Sequence, residues 1–213
     1  MKKAMIFDLD GTLWDSTQSA PFIWKRVLDK HHLDISITQE KVASLMGKTM
    51  EEIGNILFPS INEEKRNQII DDFSEEEVNY LNEHGTILYE GIEETLEILS
   101  KKYDLYIVSN CQKGYVEAFL HTHHLEKYFK DIEMSGRTGK DKGHNILLLM
   151  ERNHIQEVVY IGDTQGDQKA SRFAGIPFIF VSYGFGNAWH PDKVIKSFKE
   201  LTKFLRNEKE MIE

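Results

Sequence analysis

Four short, unbroken apolar runs constrain the fold of this chain more than any other feature: Ala4-Met5-Ile6-Phe7, Leu105-Tyr106-Ile107-Val108, Val158-Val159-Tyr160-Ile161 and Phe178-Ile179-Phe180-Val181. Successive side chains on a strand point to opposite faces, so a strand with one wet face alternates apolar and polar residues. Runs without alternation are strands covered on both faces. From Gly91 onward they are separated by helical patterns: Ile92, Leu96 and Leu99; then Val116, Phe119 and Leu120; then residues 146–150; then Ala170, Phe173 and Ala174. Strands alternating with helices in this way predict an α/β fold, a doubly wound parallel-sheet (Rossmann-like) core. Pro177 opens the last clear strand, and residues 194–205 read as one closing helix.

Residues 16–83 interrupt that alternation with no convincing strand. Ser16 stands where it would cap a helix carrying Ala20, Ile23, Trp24, Val27 and Leu28 at helical spacing. Thr49 and Glu52 form a capping box ahead of Ile53, Ile56 and Leu57, and Pro59 stops that element. Asn62 caps the next helix, with Ile69, Ile70 and Phe73 inward; a further stretch runs through Val78 and Leu81 to Gly85. The expected organisation is a discontinuous α/β core, residues 1–15 and 85–213, with a small α-helical domain of about four helices, residues 16–84, inserted after the first strand.

Composition narrows the function classes. The chain has 213 residues, 40% hydrophobic and 29% charged, and no apolar run approaches the ~20 residues of a membrane span. Met1-Lys2-Lys3 leads into a strand rather than a signal-peptide apolar region, and Cys111 is the only cysteine, so a cytoplasmic protein without a disulfide is expected. A formal net charge of −9 argues against nucleic acid as partner. It is compatible with a small anionic substrate held by a few local cations and a metal. Runs such as Glu75-Glu76-Glu77 read as solvated helix faces.

The polar residues of interest sit at strand ends, where open α/β sheets bind their ligands. Asp8 and Asp10, spaced i, i+2, point to the same side and repel unless a cation lies between them or one stays protonated. Gly11 breaks the strand and Thr12 adds a hydroxyl. Ser109-Asn110 ends the second run, Lys140 and Lys142 precede a helix, and Gly162-Asp163-Thr164-Gln165-Gly166-Asp167 follows the third.

These four clusters, in order and spread over the whole chain, resemble the four motifs of the haloacid dehalogenase superfamily. The helical block resembles the cap that many members insert after the first strand. The resemblance implies that Asp8 is a nucleophile giving an aspartyl-phosphate, and that Asp10 protonates the leaving oxygen and then activates water. The second aspartate marks the phosphoryl-transfer branch rather than the carbon–halogen branch. Thr12, Ser109 and Asn110 would hold phosphate oxygens and orient the groups, and Lys142 would neutralise the charge that Asp8 and the phosphate share. Lys140 is the alternative, but residues 143–146 lead from Lys142 straight into the helix. Gly143 stands where the family more often has proline. Mg²⁺ is the implied cofactor, held by the Asp8 carboxylate, the Asp10 backbone carbonyl, Asp163, and Asp167 directly or through water; an all-oxygen ligand set suits it. The expected activity is a Mg²⁺-dependent phosphatase hydrolysing a small phosphorylated metabolite, with no nucleic acid or membrane partner. A sugar phosphomutase would keep the chemistry and change the acceptor. A receiver-like signalling switch also phosphorylates an aspartate, but gains nothing from Asp10 or the helical insert.

Other residues read more plainly. His121, His123 and His124 form a surface cluster, and Cys111 is a small buried side chain. Trp14 either lines the substrate entrance or packs the hinge of the insert. Lys48, in Met46-Gly47-Lys48-Thr49, either grips a second anionic group or is solvated. Tyr183-Gly184-Phe185-Gly186 shapes a loop near the metal rim.

Overall fold

The chain runs through β1 (Ala4–Phe7) and a two-residue β2 (Trp14–Asp15) into four helices, α1 (Ala20–Lys30), α2 (Gln39–Ala43), α3 (Met50–Leu57) and α4 (Glu63–His84). It returns through β3 (Ile87–Leu88), α5 (Ile92–Ser100), β4 (Asp104–Ser109), α6 (Tyr115–His123), β5 (Phe129–Met134) and α7 (Ser135–Thr138). α8 (Lys142–Arg152), β6 (Val158–Gly162), α9 (Gln165–Phe173), β7 (Phe178–Val181), β8 (Lys193–Ile195) and a 3-10 segment (Phe198–Leu205) complete it. The structure, a computed structural model, describes residues 3–205.

Six strands form one parallel sheet in the order β5-β4-β1-β6-β7-β8. Alternate residues of each central strand feed two separate cores. Met5, Phe7, Leu105, Ile107, Val159 and Ile161 face α5, α6 and the 3-10 segment. Ala4, Ile6, Tyr106, Val108, Val158 and Tyr160 face α8 and α9. Burial on both sides is why these strands carry apolar side chains at every position. Phe7 is in register with Ile107 on one side and Ile161 on the other. Asp8, Ser109 and Asp163, each one or two residues further on, therefore emerge together at the carboxyl edge, where the strand order reverses.

The α1–α4 block has its own core, in which Ile23, Trp24, Val27, Phe58, Ile69 and Phe73 are buried. Trp24 and Phe73 stack with ring centroids 3.7 Å apart. The chain leaves the sheet and comes back through the antiparallel ribbon of β2 and β3, where Trp14 pairs with Leu88.

Several elements differ from expectation for identifiable reasons. Helix α1 starts at Ala20, after Ser19 at its N-cap and with proline in its first turn, and Ser16 does not cap it; the Ser16 hydroxyl donates to Asp10 instead. Helix α2, capped by Thr38, holds one buried residue, Val42, too little to show a period. α4 is one 22-residue helix rather than two stretches. Its inward positions run Ile69, Ile70, Phe73, Glu77, Leu81, and the acid at the fourth breaks the apolar pattern. Residues 194–205 are not a single helix: Val194 pairs with Phe180 in β8, and the helical segment begins only at Phe198. The capping box at Thr49 and the Asn62 cap form as the side-chain chemistry demands, with Lys65 N–H donating to Asn62 Oδ1 at 2.9 Å.

Candidate active site

Beyond β1 the chain turns at Gly11, whose φ of +77° is the left-handed region. A Cβ there would collide with the Asp163 carboxylate, so only glycine lets the two loops meet. Asp8, Lys142, Asp163 and Asp167 are all buried at this point. Lys142 Nζ donates to Asp8 Oδ1 at 2.8 Å and to Asp167 Oδ1 at 2.5 Å. Lys142 opens α8 and Asp141 caps that helix, its carboxylate accepting from the His144 N–H. Gly143 allows α8 to lie close to α9, since a Cβ would come 2.7 Å from the Phe173 ring. Lys140 is exposed and its side chain is not part of the cluster.

Asp167 closes the first turn of α9 in a capping box with Thr164. Asp163 Oδ2 accepts from the backbone N–H groups of Phe185 and Gly186 at 2.7 and 3.3 Å, which ties the 183–186 loop to the site. Its other oxygen, Oδ1, is buried without a hydrogen-bond partner. Oxygens of Asp8, Asp163 and Asp167 lie within 4.8 Å of one another. Burial first, then the neighbouring Asp167, pushes the Asp8 and Asp163 carboxyls up, and the single ammonium of Lys142 offsets only part of this. Three clustered carboxylates, one orphaned oxygen and one balancing cation fit a divalent ion with oxygen ligands.

Asp10 sits in different surroundings. Its Oδ1 accepts from Trp14 Nε1 at 2.9 Å, Ser16 Oγ at 2.7 Å and Tyr115 OH at 2.8 Å. Burial raises its pKa against these three donors. All three donors meet Oδ1, and Asp10 is not among the three clustered carboxylates. Trp14 is fully buried, packs on Tyr115, Phe119 and His123, and acts on Asp10. His123 is accordingly half-buried rather than a surface residue, while His121 and His124 are exposed. Thr12 is buried with its hydroxyl unpartnered.

The α1–α4 block closes over the sheet edge. Asn110 Nδ2 donates to the Gly47 carbonyl at 2.8 Å, and Gln112 Nε2 donates to Glu77 Oε2 at 2.8 Å. Between block and sheet lies a cavity of about 60 Å³ reached by Asp8, Asp10, Ser109 and Cys111. The Cys111 thiol is buried and its pKa is pushed well up by that burial. Beside it a groove of about 810 Å³ opens between Lys48 and Thr49 on one side and Thr164 and Lys169 on the other.

Glu77 corrects the reading of residues 75–77 as a solvated face: Glu75 is exposed, but Glu77 is buried. Burial, with a smaller contribution from Asp10, lifts its pKa to about 8 against the hydrogen bond from Gln112. The folded protein therefore holds a proton that the unfolded chain releases near pH 4.5, and stability falls as pH rises from there through 8. Glu77→Gln removes this loss, so its melting temperature should gain on the parent between pH 5 and pH 9, by the equivalent of a few kcal/mol. Thermal melts at the two pH values read the difference; a gap independent of pH would contradict it.

The family described as haloacid dehalogenase-like hydrolase matches residues 5–181. A phosphoglycolate phosphatase of Vibrio parahaemolyticus is 27% identical over 93% of this chain and 94% of its own length. That of Escherichia coli K12 is 26% identical over 93% and 90%. Among solved structures, a haloacid dehalogenase-like family hydrolase from Streptococcus pneumoniae superposes with a TM-score of 0.83 over 96% of this chain and 98% of that one. At 20% identity, that likeness speaks for the fold.

Proposed function

The chain belongs to the haloacid dehalogenase-like hydrolase family, and from that premise we propose that this phosphatase hydrolyses a small phosphomonoester through an aspartyl-phosphate on Asp8, with Mg²⁺ as cofactor. Residues 1–15 and 85–213 act as the catalytic core and residues 16–84 as a cap that closes over the substrate and excludes bulk water. The observation that carries the reading is the contrast between two carboxylates two residues apart. Asp8 lies in a cluster with Lys142 and two further aspartates, whereas Asp10 is held by three neutral donors. Lys142 and a divalent ion held by the cluster would keep Asp8 ionised as the nucleophile, whereas Asp10, raised by burial and held by neutral donors, suits a proton carrier.

An Asp8 carboxylate oxygen forms a bond to phosphorus as the bond to the leaving oxygen breaks, and Asp10 donates a proton to that oxygen. Asp10 then takes a proton from water, whose oxygen attacks phosphorus and releases phosphate from Asp8. Ser109 and the Asn110 backbone N–H hold non-transferring oxygens, with Thr12 orienting the loop. Lys142 balances the charge of nucleophile and phosphate. Mg²⁺, when held by Asp8, Asp163, Asp167 and the Asp10 carbonyl, supplies further positive charge to the phosphoryl group.

The purified protein with Mg²⁺ is expected to release inorganic phosphate from 4-nitrophenyl phosphate, one equivalent per ester cleaved, and a chelator should lower the rate at least ~100-fold, reversibly. Activity indifferent to chelation would remove the metal from the mechanism. A sugar phosphate converted into its positional isomer without free phosphate would replace the hydrolase by a mutase.

A further inference from the structure

The cavity under the cap is the place where the leaving group of a phosphomonoester on Asp8 must lie. Its cap-side wall is largely apolar, built from Trp24, Val42, Leu45, Met46, Ile53 and Phe73. The stacked rings of Trp24 and Phe73 fix that wall. Glu77 interrupts it. This residue takes an inward position of α4, between Phe73 and Leu81, and is only 5% exposed. Gln112 donates to one of its oxygens, and among the described residues no cation pairs with it. Lys142 is committed to Asp8 and Asp167, and Lys48, the cavity's only lysine or arginine among the described residues, is exposed.

A binding site for a carboxylate or a second phosphate needs a buried cation or a cluster of N–H donors. This cavity offers instead Glu77 on the cap and Asp10 on the core, two acids that bring no positive charge to an anion; Glu77 holds its proton up to about pH 8 and, once ionised, repels an anion and attracts an ammonium. A buried acid facing a substrate cavity, with no internal counter-charge, is satisfied by a donor that the ligand brings.

We infer that Glu77 selects the leaving alcohol: the substrate is a small phosphomonoester whose leaving group presents an ammonium, or failing that a hydroxyl, to Glu77, and carries neither a carboxylate nor a second phosphate. The inference rests on the phosphatase reading above and departs from the substrate named for the curated relatives, since glycolate ends in a carboxylate.

Three esters of equal length test it: 2-aminoethyl phosphate, 2-hydroxyethyl phosphate and phosphoglycolate, with 4-nitrophenyl phosphate as a control for the chemistry. Assays run at pH 8.5, above the Glu77 pKa of about 8 and below the range in which an alkylamine loses its charge. The expected kcat/KM for the aminoethyl ester exceeds that for phosphoglycolate at least tenfold, with the hydroxyethyl ester between them. Glu77→Gln should shrink the ratio of aminoethyl ester to phosphoglycolate at least fivefold, chiefly through KM. Phosphoglycolate equal to or better than the aminoethyl ester in the parent protein overturns the inference, as does a ratio that Glu77→Gln leaves unchanged. A preference for phosphoglycolate that Lys48→Ala destroys would show that Lys48 grips an anionic tail instead. No phosphate released from any ester, the aryl control included, overturns the phosphatase reading itself; release from the aryl control with phosphoglycolate preferred overturns only the leaving-group assignment.

Discussion

Asp8→Asn should lower hydrolysis of 4-nitrophenyl phosphate on the order of 10⁴-fold or more and leave the protein folded. The amide has no carboxylate lone pair to attack phosphorus, yet it keeps the shape. Its carbonyl oxygen can still accept from Lys142 Nζ, now 2.8 Å from Asp8 Oδ1. The variant also removes one negative charge from a buried cluster in which Asp167 and burial raise the Asp8 pKa. Its melting temperature should therefore match or exceed that of the parent. Asp8 is proposed as a metal ligand too, so the assay is repeated across a Mg²⁺ titration. Activity restored by high Mg²⁺ would reduce Asp8 to a ligand and take the nucleophile away from it. Circular dichroism and a thermal melt on the same preparation separate lost chemistry from lost structure.

The α/β core was legible because its chemistry is local. A strand buried on both faces has to be apolar at every position, and β1, the middle of β4 and β6 announce themselves in that way. The acids at the carboxyl edge were legible for a related reason: register turns neighbours in sequence into neighbours in space. Phe7 opposite Ile161 leaves Asp8 and Asp163 adjacent. The surroundings of Asp10 follow no such rule. Trp14, Ser16 and Tyr115 come from a hinge strand, a loop and α6, and nothing in their spacing shows that they converge on one oxygen.

Glu77 was hidden differently. In a run of three glutamates the pattern of charge is the same whether a helix turns one of them inward or none. Only the position of α4 on the cap core decides it. The β2–β3 ribbon and β8, at two or three residues per strand, are too short for periodicity to register. Their existence depends on a partner strand far away in sequence.

Asp10→Asn should split the reaction into its two halves. With 4-nitrophenyl phosphate, whose leaving phenolate needs no proton, the first step survives, and a burst of about one equivalent of 4-nitrophenolate is expected per site. Steady turnover should then fall ~10²–10⁴-fold, because water attacks the phosphorylated Asp8 without a base. An alkyl phosphomonoester, whose alkoxide leaves poorly, should show no burst, since it loses the acid in the first step as well. The structure makes this substitution informative. All three donors to Asp10, at 2.7–2.9 Å, meet the same oxygen, Oδ1, and the carbonyl of an asparagine can accept all three. Its backbone carbonyl stays available to the metal, so what is lost is the exchangeable proton on the second oxygen. Burial raises the Asp10 pKa and so favours the protonated form needed for the first step. Stopped-flow absorbance gives the burst amplitude, and acid quenching with labelled phosphate traps the intermediate. Equal slowing of aryl and alkyl esters without a burst would mean that Asp10 shapes the site rather than moving protons. The asymmetry between leaving groups is what a structural role cannot produce.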